Sequence, residues 1–353
     1  MFYRYLSPLL ILLCFQIPLA QSGERITVYN WNDYIDPQVV QDFEKETGIG
    51  VDYRTFNTTQ ELMQSLRDGA TLDVVVPAHS DLLELIDKHL LLPLDRTRLK
   101  NFGQLDKYLL RKLAPFDPGN RFAAPYLWGM IGLAINMPQA EAAYGGPLPN
   151  SWALLFEADS NAKFKDCGVS LLDAPEETFA ALINFQGRSL SNLRPSLIQT
   201  AGEKLQLIRS NLRYIDSERY IKDLSEGHLC LSLAWVGDAL KAAEEGQPVH
   251  FFIPEEGSPM FIDSLAIPAH AAHPELAYRF IDYLMRPEVA ARNTTATFYP
   301  NAVPGSAANL TPAMRNDVNL FPDVQIQRRL FLLPPVSEKL QTPLQQAWQL
   351  LRK

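Results

Sequence analysis

The sequence predicts an α/β protein built as two lobes. Strand and helix alternate through 25–89, a second alternation runs through 169–253, and no Gly/Ser-rich or low-complexity linker separates them. Alternation of this kind argues for a mostly parallel sheet flanked by helices. Two such lobes without a flexible linker imply that the chain crosses between them more than once.

Residues 25–31 (RITVYNW) alternate apolar and polar in the manner of a strand, and 39–47 follow as an amphipathic helix closed by Gly48. A second strand is predicted over 51–55 and a helix over 60–68. The run at 72–76 (LDVVV) has the continuous apolar character of a parallel strand buried on both faces, and a helix follows over 81–89. The extended apolar segment 122–136 (FAAPYLWGMIGLAIN) reads as an interior strand or as one crossing between lobes. Beyond it, helices are predicted over 175–184, 202–209, 220–226 and 238–245. Strands are predicted over 169–172, 213–215, 229–235 and 250–253. Residues 260–268 (MFIDSLAIP) form an apolar strand interrupted by one charge, 274–286 a strongly periodic helix, and another helix begins at 287.

The first 20 residues combine Arg4, an apolar run over 9–17 and the small-residue end Pro18-Leu19-Ala20. That pattern is a secretory signal peptide, cleaved near Ala20. The run is shorter than the ~20 residues a membrane-spanning helix needs, and the bulky Leu13 before Cys14 argues against a lipoprotein site. The mature chain is expected to be soluble and periplasmic. Losing Arg4 leaves 31 basic against 40 acidic residues, a net charge of −9. An acidic surface disfavours nucleic acid and anionic membranes and favours cationic ligands. Two cysteines remain, Cys167 and Cys230. In an oxidising compartment a disulfide is the default, worth ~4 kcal/mol for so long a loop, with two buried thiols as the alternative. Six scattered histidines show no HxxxH, and no CxxC occurs, so no metal site is expected.

Ligands of open α/β sheets bind outside the carboxyl ends of strands. There the chain repeatedly sets an aromatic beside a carboxylate: Trp31-Asn32-Asp33-Tyr34, Trp235-Val236-Gly237-Asp238 and Phe261-Ile262-Asp263. Glu176 and Glu177 follow another strand, and Tyr299 lies before Pro300-Asn301. An alkyl diamine requires this combination. Its ammonium ends (pKa about 10) need carboxylates, and its methylenes need flat apolar walls, which aromatic faces supply along with a cation–π attraction of ~0.5–2 kcal/mol. Singly, most of these residues have a plainer explanation. Trp235 and Tyr299 could be core packing, Asp238 a helix N-cap, and Glu176 and Glu177 partners of a helix dipole. Asp263 resists that treatment, because an unpaired carboxylate in an apolar strand is costly.

The stretches YNWNDYI (29–35), FEKETGI (43–49), DVVVP (73–77), CGVSLLDAPEE (167–177), LAWVGD (233–238), FID (261–263) and FYPNA (298–302) resemble the periplasmic polyamine-binding proteins of ABC importers, particularly the putrescine-binding members. The resemblance implies a type II periplasmic-binding fold. Lobe 1 would comprise 24–129 and 262–305, and lobe 2 would comprise 130–261 and 306–353. It further implies a monomer without cofactor that closes on its ligand, delivers it to an inner-membrane permease and performs no chemistry on it. Carried over by position, the aromatic box is Trp31, Tyr34, Trp235, Phe261 and Tyr299, the acidic partners are Asp33, Glu177, Asp238 and Asp263, and the family's disulfide falls on Cys167 and Cys230. This chain has Asn32 where relatives have Ser or Thr. It has Ala78 where they have a ligand-side Ser, a loss for which Ser80 or His79 would compensate. Putrescine is favoured over spermidine.

Other readings meet obstacles. A carboxylated solute would want an Arg clamp, and no Arg falls in the strand-end clusters. A sugar would want more amides. A glycosidase could use two carboxylates, but no nucleophile–base pair of the GxSxG type is present. Polyamine sensing through a membrane receptor is compatible with the same site.

Overall fold

The computed structural model describes residues 23–353; the predicted signal peptide and its cleavage site lie outside them. Among the described residues no helix is long and apolar enough to cross a membrane.

Among the described residues ten strands form one sheet: β1 (Arg25–Trp31), β2 (Gly50–Phe56), β3 (Val74–Val75), β4 (Ala123–Asn136), β5 (Val169–Leu171), β6 (Leu212–Ile215), β7 (Leu231–Trp235), β8 (Val249–Phe252), β9 (Ser258–Ala266) and β10 (Leu330–Leu332). Their order is β2-β1-β3-β9-β4-β7-β5-β6, with β10 beside β9 and β8 beside β4. At one end β1 pairs in parallel with β2 and β3, and at the other β5 pairs in parallel with β6 and β7. The centre departs from the parallel expectation, since β4 and β9 run antiparallel to each other, β9 antiparallel to β3, and β4 antiparallel to β7 and β8; only the short β10 lies parallel to β9.

The segment 122–136 resolves as a single strand, buried at every position from Ala123 to Asn136. It changes partners midway. Through Met130 it pairs with β9, from Ile131 it pairs with β7, and from Leu133 it pairs with β8 as well. One strand therefore joins the two halves of the sheet, which accounts for its lack of any solvent-facing polar alternation.

The strand predicted over 72–76 shortens to Val74–Val75. Asp73 spends its side chain on Thr27 N–H (Oδ2, 2.8 Å) and His273 N–H (Oδ1, 2.7 Å), and Pro77 has no N–H to continue the ladder. The helix predicted from 202 begins earlier, as Pro195–Ile208, with Pro195 in the first turn, where its missing N–H costs nothing. The predicted helix 238–245 is Val236–Glu244, so Trp235 and not Asp238 occupies the N-cap position. Cys167 and Cys230 are joined by a disulfide, which links the loop entering β5 to the residue preceding β7.

Candidate ligand-binding crevice

β1 ends at Trp31, and the chain turns through Asn32 and Asp33. Asp33 adopts a left-handed φ of 51°, which Asp tolerates better than most residues. Asn30 secures the turn. Its Oδ1 accepts from Trp31 N–H (2.8 Å) and its Nδ2 donates to the Tyr34 carbonyl (3.4 Å), to which Tyr126 Oη–H also donates (3.0 Å). Tyr34 is thereby returned to the interior, and its hydroxyl donates to Asp263 Oδ2 at 2.8 Å. Asp263 lies within β9 and is only 5% exposed. Burial pushes its carboxyl up to about 8; the Asp81 charge adds to this, and the Tyr34 hydrogen bond opposes it.

A second carboxylate is built in the same way. Asp238 sits in the first turn of the helix that follows β7. Rather than capping that helix, it accepts hydrogen bonds from Tyr299 (Oδ1, 3.0 Å) and Tyr220 (Oδ2, 2.5 Å). Burial raises its pKa and the nearby Asp33 charge adds to the rise, while the two tyrosine bonds and Lys241 counteract it. Burial also holds the Tyr34, Tyr220 and Tyr299 hydroxyls well above their ordinary pKa, so all three remain donors.

Aromatic rings connect the two acids. Tyr299 stands 5.2 Å from Tyr34 and 6.0 Å from Phe261, centroid to centroid. The series Asp238–Tyr299–Tyr34–Asp263 is thus continuous through hydrogen bonds and ring contacts. Two glycines make room for it. A Cβ on Gly237 would lie 2.4 Å from the Tyr299 ring, and one on Gly129 would lie 2.6 Å from Phe261. Trp31 packs at 4.5 Å on Phe56, with its indole N–H buried and lacking a protein acceptor. Trp31, Trp235 and Phe261 are each half-buried, and Asn32 and Asp33 are exposed.

A further group of acids gathers near Asp263. Ala78 is bridged to Asp263 in an antiparallel pair, which brings the start of helix His79–Asp87 beside β9. Asp81, in the first turn of that helix, accepts from Thr59 (3.2 Å) and Ser80 (3.4 Å), and burial with the nearby Glu176 charge pushes its carboxyl up to about 7. Glu177, half-buried at the start of helix Pro175–Phe185, is likewise raised to about 7 by burial and by Glu176. The Ser80 hydroxyl is thus directed at Asp81. His79 is buried with Nε2 against the Leu333 carbonyl (3.2 Å), and burial lowers its pKa to about 4, which leaves it neutral.

Of the predicted residues, Asp238 (with Asp33 nearby) and Asp263 are linked by the rings of Tyr299 and Tyr34, with Phe261 against Tyr299; Glu177 neighbours Asp81 and Glu176, and among the described residues no contact joins it to Asp263. Among the described residues no Lys or Arg forms an ion pair with any of these four acids, or with Asp81 or Glu176. A buried acid without an ion-pair partner, as Asp263 is, suits a cationic ligand. Sequence reasoning missed Tyr220, Tyr126 and Asp81. It also passed over Gly129 and Gly237, although a glycine beside an aromatic in or after a strand marks a close approach.

The chain can now be set beside known proteins. Residues 38–322 match the family model described as bacterial extracellular solute-binding protein. The putrescine-binding periplasmic protein PotF of Escherichia coli is 36% identical, over 94% of this chain and 92% of its own length. The putrescine-binding periplasmic protein SpuD of Pseudomonas aeruginosa is 35% identical, over 94% and 93%. Among solved structures, the spermidine/putrescine ABC transporter substrate-binding protein PotD of Streptococcus pneumoniae superposes with a TM-score of 0.81 at 25% identity, covering 94% of this chain and all of that one. With the family model matched over most of its length and relatives above 30% identity, the chain belongs to the bacterial extracellular solute-binding proteins and is not an enzyme.

Proposed function

We propose that this protein captures a polyamine in the periplasm and delivers it to an inner-membrane ABC permease. The observation that carries the reading is the pair of carboxylates, Asp238 and Asp263, each held by a tyrosine hydroxyl and joined through the edge-to-face contact of Tyr34 and Tyr299, with no ion-paired Lys or Arg on either among the described residues. A linear diamine places an ammonium at each acid and its methylenes along the rings. Charge-assisted hydrogen bonds then offset the desolvation of both partners. The names of the relatives support the same ligand class and the same compartment, in keeping with a signal peptide cleaved near Ala20.

Two lobes, 24–129 with 262–305 and 130–261 with 306–353, close on the ligand in this reading. The change of partner along β4 at Met130 and Ile131 supports that division. A thermal-shift assay tests the assignment. Putrescine or spermidine at 100 times its dissociation constant stabilises the protein by about 2.7 kcal/mol, while sugars and acidic amino acids leave the melting temperature where it was. No shift with any polyamine contradicts the reading.

A further inference from the structure

Two hydroxyls of unequal standing hold Asp238. Tyr299 donates to Oδ1 at 3.0 Å, and its ring also belongs to the crevice wall, beside Tyr34 and Phe261. Tyr220 donates to Oδ2 at 2.5 Å and is 0% exposed, so its side chain offers no surface to a ligand. Whatever Tyr220 contributes to the crevice passes through the carboxylate.

The donor stands on a fixed support. Tyr220 lies in helix Arg219–Ser225, whose start is tied down by Asp216 Oδ1, which accepts from Glu218 N–H (2.8 Å) and Arg219 N–H (2.7 Å). Asp223 of the same helix accepts from Arg219 (3.0 Å) and from Tyr214 of β6 (2.7 Å), which binds the helix to the sheet. This helix packs against helix Val236–Glu244, the bearer of Asp238. A tyrosine hydroxyl at such depth needs an acceptor. A neutral acceptor would serve it at less cost than a carboxylate, whose charge loses hydration on leaving water. The bond therefore makes more physical sense as support for the carboxylate than as satisfaction of the hydroxyl. Asp238 is only half-buried, so part of it stays accessible while Oδ2 is held from within.

We infer that Tyr220 is a positioning residue for polyamine binding, its hydroxyl fixing the Asp238 carboxylate in the orientation that receives an ammonium group. The inference rests on the polyamine reading and deepens it. Donation to Oδ2 also favours the ionised carboxylate; Tyr299 and Lys241 act in the same direction, against burial and the Asp33 charge.

Calorimetric titration with putrescine at pH 5.5 and pH 8 tests this on wild-type protein, Tyr220→Phe, Asp238→Asn and the double variant, each first confirmed as folded by its melting curve. Losing one hydrogen bond to a charged group weakens binding about tenfold in Tyr220→Phe. The loss is larger at pH 5.5 than at pH 8, because a carboxylate short of one donor takes up a proton more readily. Tyr299, Lys241 and Asp33 face Asp238 in both proteins and drop out of that comparison. Added to Asp238→Asn, the same substitution changes the affinity little.

Wild-type affinity in Tyr220→Phe overturns the inference. So does a loss that is equal at both pH values, or one that persists in full beside Asp238→Asn, since damage to packing alone gives these results. Each of those outcomes leaves the polyamine reading standing, whereas wild-type protein that binds no polyamine overturns both. Should Tyr220→Phe fail to fold, wild-type protein labelled with carbon-13 at tyrosine Cζ carries the test. The Tyr220 resonance shifts on putrescine binding, because the ammonium draws charge from the shared carboxylate. A Tyr220 resonance that stays in place contradicts the inference.

Discussion

The Tyr34 hydroxyl donates to Asp263 Oδ2 at 2.8 Å, across 229 positions of sequence. This bond orients a buried carboxylate through one oxygen, and in the proposed function the second oxygen meets the ligand. Replacing Asp263 with Asn keeps a hydrogen-bond acceptor for Tyr34 and removes the charge. Polyamine affinity should then fall by about a hundredfold, as a buried charge-assisted contact is worth roughly 2–3 kcal/mol. The melting temperature of the unliganded variant should hold or rise, because burial already disfavours the carboxylate. Calorimetry and a thermal melt on the same preparation check both halves.

The raised carboxylates give the crevice a pH signature. Asp263 at about 8, with Asp81 and Glu177 at about 7, lies well above the ordinary values of 3.8 and 4.5. The folded protein therefore retains protons that the unfolded chain releases. Their stabilising contribution is complete below pH ~4 and is lost as pH rises toward ~8. The melting temperature of unliganded protein should decline across that window. The increment added by a polyamine should grow over the same range, since the cation favours the ionised acids. Melting curves at pH 5, 6.5 and 8, with and without spermidine, measure the two trends.

Gly237 is predicted to be intolerant of any side chain. The Cβ of Gly237→Ala would meet the Tyr299 ring at 2.4–2.6 Å, so the ring must move and its bond to Asp238 must lengthen. Overpacking of this kind costs about 1–3 kcal/mol. Weaker polyamine binding should accompany the loss of stability. A variant with wild-type melting and wild-type affinity would show that Tyr299 has room to spare.

Much of the fold was legible because local pattern and tertiary role coincide. β1 was read at its observed bounds from Arg25 to Trp31 since one of its faces is buried and its alternation survives. What stayed hidden depended on partners remote in sequence. The antiparallel pairing of β4 with β9 leaves no mark on two strands that are buried on both faces. At the site, Asp238 resembled a helix cap in sequence, and only Tyr220 and Tyr299 reaching it from separate elements reveal another use. Tyr220, inside an ordinary helix, carried no signal. Asp81 lay within a helix recognised as such, and its neighbourhood with Glu176 exists only once both halves of the sheet are placed.

The disulfide should matter for stability more than for recognition. Cys167 and Cys230 close a loop of sequence separation 63, and replacing both with Ser should lower stability by ~4 kcal/mol. Below the variant's melting temperature, polyamine affinity should stay close to wild type. Denaturant unfolding followed by titration separates the two effects.

Calorimetric titration of the mature protein with a series of linear amines tests the central claim most directly. Saturable one-to-one binding of putrescine and spermidine is predicted, with no heat from sugars or acidic amino acids. Absence of binding to every polyamine in the series, in protein shown to be folded and free of carried-over ligand, would contradict it.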